Sequence, residues 1–104
     1  MAKKITPVHA GEILKEEFII HLGVTEYRCA KDIGVPPRRI NEIVHGTRAM
    51  TADTALRLGA YFNVSPQFWM NLQTQFELVI AQEELAPLLI NATRALVPAS
   101  ALSR

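Results

Sequence analysis

Apolar residues recur three and four apart along most of this chain, and glycine and proline fall between the periodic stretches. That pattern predicts helices and no strands. Ile13, Leu14, Phe18 and Ile20 form a broad stripe on a first helix from about Ala10 to His21, which Gly23 ends. Thr25 is placed to cap a second helix that runs to Ile33, and Gly34 stops it. A third helix starts at Pro37, where a missing N–H costs nothing, and closes at Gly46. Thr51 caps a fourth, to about Phe62, with Asp53 in its first turn, where the helix dipole favours an acid. Ser65 and Pro66 open a fifth as serine cap and first-position proline. Its stripe is Trp69, Leu72, Phe76, Val79 and Ile80, and it reaches about Leu85. Pro87 and Pro98 then bracket a weakly amphipathic tail, so the chain divides into a domain over residues 1–86 and a tail over 87–104.

On a helical wheel the third helix has two unlike faces. Arg38, Asn41, Glu42 and His45 share one; Ile40, Ile43 and Val44 lie opposite, with Arg39 on the flank. The polar face carries groups that match base edges: Arg pairs with guanine, Asn with adenine, and Glu accepts from cytosine. Alone, it would suit the solvated side of any surface helix. Its place after a short capped helix and a glycine turn instead matches a DNA-binding helix-turn-helix. Arg38, Arg39, Asn41 and Glu42 are the expected base readers. On the second helix Cys29, Ala30 and Ile33 face inward, while Tyr27, Arg28 and Lys31 face out toward phosphates, which position a protein without reading sequence. Thr25, His45 and Arg48 complete the expected phosphate contacts. Cys29 reads as a small core residue.

Charge sharpens this picture. The net charge of the 104 residues is only +1. Between Thr25 and Met50, however, Arg28, Lys31, Arg38, Arg39 and Arg48 outnumber Glu26, Asp32 and Glu42. From Thr51 to Glu84, Arg57 stands alone against Asp53, Glu77, Glu83 and Glu84. A basic middle and an acidic following segment suggest faces with different partners. No run approaches the roughly 18–20 apolar residues of a membrane span, and the charged N-terminus has no apolar signal region. One cysteine fits a reducing compartment, so a cytoplasmic protein without membrane contact is expected. His9, His21 and His45 are scattered, with no HExxH and no cysteine pair, so neither a metal site, a cofactor nor an enzyme is expected.

Four stretches together resemble the HigA-type antitoxins of bacterial toxin–antitoxin modules, within the phage-repressor-like helix-turn-helix group. They are His9-Ala10-Gly11-Glu12-Ile13-Leu14, Gly34-Val35-Pro36-Pro37-Arg38-Arg39-Ile40-Asn41-Glu42-Ile43, Thr51-Ala52-Asp53-Thr54-Ala55-Leu56-Arg57-Leu58 and Ser65-Pro66-Gln67-Phe68-Trp69-Met70-Asn71-Leu72-Gln73. The resemblance implies an all-α fold, a five-helix repressor-like bundle with a C-terminal helical extension. It implies an antitoxin that neutralises a cognate RelE-like ribonuclease toxin and represses its own operon by binding double-stranded operator DNA as a homodimer. The alternative is a stand-alone helix-turn-helix regulator without a toxin. Where relatives carry a polar base reader, this chain has Pro37; where many carry Gln at the start of the second helix, it has Glu26, whose charge would repel phosphate. An aromatic stripe on the fifth helix, Trp69, Leu72 and Phe76, is expected to supply the dimer contact, since five short helices cover it only in part.

Overall fold

The structure, a computed structural model, describes residues 7–96 and contains five helices there, with no strand among the described residues. Helix α1 begins as an α-helix, Ala10–Ile13, and continues as a π-helical segment, Leu14–Ile20. Helices α2 (Glu26–Ile33), α3 (Pro37–Val44) and α4 (Ala52–Phe62) follow, and α5 is a single 31-residue helix, Pro66–Leu96.

The caps predicted at α2 and α5 form. Thr25 Oγ1 accepts from the Arg28 N–H at 3.0 Å, and Ser65 Oγ accepts from the Gln67 N–H at 3.1 Å. Gly34 ends α2 at φ 78°, a left-handed conformation in which a Cβ would be strained. Thr51 sits at the N-cap of α4, but its hydroxyl lies 3.4 Å from that of Thr54 and bonds no backbone N–H. The cap expected there is positional only.

The π-helical turn rewrites the expected stripe of α1. Hydrogen bonding from residue i to i+5 places Ile19, five after Leu14, on the core side. Ile19 is buried and Ile20, expected inside, is 57% exposed. The second departure is in α5. Instead of ending near Leu85 it passes through Pro87 to Leu96. Proline removes one N–H from the ladder, a local cost that neighbouring Ala, Leu and Glu, all good helix formers, can absorb.

The core gathers Ala10, Leu14, Ile19, Cys29, Ala30, Ile33, Val35, Ile40, Ile43, Met50, Ala55, Leu58 and Trp69. Phe18 stacks against Phe62 and Trp69, with ring centroids 4.9 and 5.0 Å away, and so clamps α1 onto α4 and α5. Trp69 is wholly buried in this cluster. It therefore has no surface to give a second copy, which corrects its expected place in a dimer contact. Leu72 and Phe76 are half-buried, and Phe76 meets the edge of the His9 ring at 4.8 Å. Beyond Ala81 every described residue of α5 is exposed, so nearly half of the helix projects from the core.

Candidate nucleic-acid interface

Helices α2 and α3 pack through the faces the wheel assigns. Cys29, Ala30, Ile33, Ile40 and Ile43 are buried between them and α1 or α4. Burial pushes the Cys29 thiol up to about 11, in keeping with an inert core residue. The opposite faces are open: Tyr27, Arg28, Lys31, Arg38, Asn41, His45 and Arg48 are all exposed.

The expected readers on α3 divide into two groups. Arg38 has an 83% exposed side chain and leans on the turn below, with Nε donating to Glu42 Oε2 at 2.8 Å. Arg48 Nε donates to the other oxygen, Oε1, also at 2.8 Å. The two arginines hold the Glu42 carboxyl below its ordinary range, Arg38 more than Arg48. Asn41 Nδ2 donates to Glu26 Oε1 at 3.1 Å, so Glu26 faces a neighbouring side chain and braces α3 from α2. His45 Nδ1 lies 2.7 Å from the Asn41 carbonyl oxygen, at the end of the helix. Arg39 departs from the outward face. Its side chain is only 30% exposed, and Nη1 donates to Asp53 Oδ2 on α4 at 2.7 Å. That ion pair turns its guanidinium toward the scaffold.

The residues expected to meet phosphate are similarly mixed. Thr25 Oγ1 is committed to its cap as an acceptor, which leaves its hydroxyl proton to donate elsewhere. Arg28 Nε reaches Asp32 at 3.3 Å across one turn. Tyr27 is 64% exposed.

Two polar networks tie α2 and α3 to α4, and neither was visible along the chain. Asp53 Oδ2 accepts from both Arg39 Nη1 and Arg57 Nε, and Arg57 Nη1 also donates to the Ile33 carbonyl at 2.7 Å. Tyr61 OH donates to Asp32 Oδ2 at 2.6 Å, tying α4 to the end of α2. Asp53 and Asp32 are both held below the usual carboxylate range, by Arg57 and then Arg39 in one case and chiefly by the Tyr61 hydroxyl in the other. The same bond pushes Tyr61 up to about 12. Among the described residues no group of three or more His, Cys, Asp or Glu could hold a metal ion. No helix of the described residues is long and apolar enough to cross a membrane.

Two further residues support the interface from behind. His9 caps α1, its Nδ1 accepting from the Gly11 N–H at 2.9 Å. Burial lowers its pKa, against a weaker upward pull from Glu12, so the neutral acceptor form is favoured. Gln73 is buried on α5; its Oε1 accepts from the Met50 N–H at 2.7 Å and its Nε2 donates to Glu77. It pins the loop between α3 and α4. The only hint of these roles in the chain is that His9, Asp53, Arg57 and Gln73 all lie in the stretches that carry the family resemblance.

No protein-family model matches the chain. Individual relatives do. It is 47% identical over 77 residues to virulence-associated protein I of Dichelobacter nodosus, covering 74% of this chain and 71% of that one. It is 35% identical over 75 residues to antitoxin HigA-1 of Vibrio cholerae, covering 72% and 70%. Among solved structures, the Pseudomonas aeruginosa antitoxin HigA with the higBA promoter superposes with a TM-score of 0.83 at 36% identity, over 88% of this chain and 100% of that chain. The chain belongs to the HigA-type antitoxin family of helix-turn-helix proteins.

Proposed function

We propose that this chain is a non-enzymatic cytoplasmic antitoxin that binds double-stranded operator DNA as a homodimer, represses the operon encoding it and neutralises a cognate RelE-like ribonuclease toxin. The observation that carries the DNA reading is the outward face of α3. Arg38 and Asn41 stand exposed on it, over a buried Ile40 and Ile43, on a helix whose angle is locked by Asp53 and Arg57. A rigid, polar, exposed helix after a glycine turn is what major-groove reading requires. Arg38 and Asn41 read bases in this account, with Glu42 at the centre of the face and Arg39 setting its tilt from α4. Thr25, Tyr27, Arg28, Lys31, His45 and Arg48 meet phosphates and fix the register. That the similar Pseudomonas aeruginosa HigA was solved with promoter DNA supports the DNA reading.

The dimer contact belongs to α5. Leu72 and Phe76 sit where the helix leaves the core, and on a face turned away from them Leu78, Leu85 and Leu89 form an exposed apolar stripe along its free length. A second copy would bury that surface and place two recognition helices about one DNA turn, roughly 34 Å, apart.

The test has two arms. The purified chain is titrated into the DNA upstream of its own gene against random competitor, and the adjacent short reading frame is expressed with and without it. Selective binding together with rescue of growth supports the antitoxin. Selective binding with no toxic neighbour points to the stand-alone regulator, and no selectivity refutes the DNA reading.

A further inference from the structure

We propose that Glu42 is a positioning residue that presents Arg38 to a guanine, and that it does not itself read a base. This rests on the DNA reading of α3 given above.

Each carboxylate oxygen of Glu42 already accepts a bond from an arginine. Oε2 takes Arg38 Nε and Oε1 takes Arg48 Nε, each at 2.8 Å. The carboxylate is also the more sheltered partner, 25% exposed against 83% for the Arg38 side chain and 46% for that of Arg48. Any duplex approaching this face meets the arginines first. An acid reading cytosine N4 would have to reach past two cations that already hold it.

The geometry of the arginine favours the other role. A guanidinium has five N–H donors in a fixed plane, and the bond to Glu42 uses the one on Nε. The Nη1 and Nη2 groups of Arg38 remain at its far end, a coplanar pair that matches guanine O6 and N7. A long arginine side chain loses rotamer freedom on binding, and one already held against the next helical turn has less to lose. Glu42 therefore supplies orientation at a single guanine, and the second arginine keeps the local charge positive while the acid is present.

The test uses the full chain and a duplex selected by it from a random pool. Anisotropy titrations compare wild type, R38A, E42A, E42Q and R38A/E42A on that duplex and on copies with each G·C pair replaced in turn by A·T, and with 7-deazaguanine, which lacks N7, at each guanine. Thermal melting by circular dichroism checks each variant, and the isosteric E42Q stands in if E42A does not fold. The wild type should lose roughly tenfold or more at one guanine. In R38A and E42A alike that penalty should fall to about twofold, and the double variant should be no less selective there than R38A. If E42A keeps the guanine penalty and loses discrimination at a cytosine, Glu42 is a base reader and the proposal fails. If E42A binds every duplex more tightly with discrimination intact, Glu42 is merely a charge repelling phosphate, and the proposal again fails. A wild type that selects no duplex overturns the DNA reading itself and this inference with it.

Discussion

Arg57 Nη1 lies 2.7 Å from the carbonyl oxygen of Ile33, the last residue of α2. Helix ends leave carbonyls without intrahelical partners. Here the partner comes from α4, and the same guanidinium uses Nε to hold Asp53, which holds Arg39 on α3. One side chain thus ties both helices of the motif to a third. Arg57→Met keeps the stem and deletes the guanidinium. It should cost about 1–2 kcal/mol in urea denaturation, through the lost bond to Ile33. Operator affinity should fall while base preferences stay as they are. Unaltered stability and affinity would show that α2 and α3 hold their angle without α4.

Gly11 lies where α1 crosses the end of α3. A Cβ there would overlap the carbonyl oxygen of Ile43, a backbone atom that cannot swing aside. Gly11→Ala should therefore destabilise by upwards of about 2 kcal/mol. Gly23→Ala makes the control. It has φ 70° with nothing within 4 Å of the added carbon, so only the left-handed backbone resists, at about 1 kcal/mol. Equal losses in the two variants would mean that the crossing of α1 and α3 is looser than described.

Gln73 is 5% exposed and satisfies the Met50 N–H across 23 residues of sequence. Gln73→Met fills similar space and leaves that buried N–H without an acceptor, at a cost of about 1–3 kcal/mol. Gln73→Glu offers an acceptor but sets a second carboxylate against Glu77, which Gln73 Nε2 meets at 2.8 Å, so it should not recover the loss at neutral pH. A fully stable Gln73→Met variant, by chemical denaturation, would remove the glutamine from the account of how the α3–α4 loop is held.

Stability should decline with acid in two steps. His9 is lowered from 6.5, so its unfolded form binds protons first; its contribution is complete above pH 6.5 and is lost as pH falls from there through the folded value. Protonation also removes the acceptor that caps α1. Asp32, Asp53 and Glu42 are lowered from 3.8, 3.8 and 4.5, and their contributions hold above those values and vanish as pH falls below them. Melting temperature measured against pH should show both steps. His9→Asn should remove the upper one, since the amide can cap without titrating. A wild-type curve that stays flat from pH 7 to 5 would contradict the buried neutral cap.

What the chain discloses and what it hides divide by range. The Thr25 and Ser65 caps, the Gly34 turn and the two faces of α3 depend on residues within one or two turns, and all follow from spacing. The exchange of Ile20 for Ile19 does not, because a π-helical turn changes the period on which the reading rests. Arg57 to Ile33 spans 24 residues, and Tyr61 to Asp32 spans 29, so their pairing waits on the fold. Trp69 shows the same limit from the apolar side. A wheel identifies it as part of a stripe, but only the arrival of Phe18 from α1 decides that it is core. Arg39 likewise reads as a flanking base reader until Asp53 takes it.

In the proposed function α3 reads bases while α2 holds the backbone, and one paired titration tests this division most directly. Arg38→Ala and Lys31→Ala are each titrated, across a range of salt, into the selected duplex and into random DNA. Arg38→Ala should lose about 1–3 kcal/mol on the selected duplex and relax its preference at one base pair. Lys31→Ala should weaken both duplexes alike and make the salt slope shallower by about one unit. Unchanged selectivity in Arg38→Ala, or a loss confined to the selected duplex in Lys31→Ala, would contradict the assignment of reading to α3.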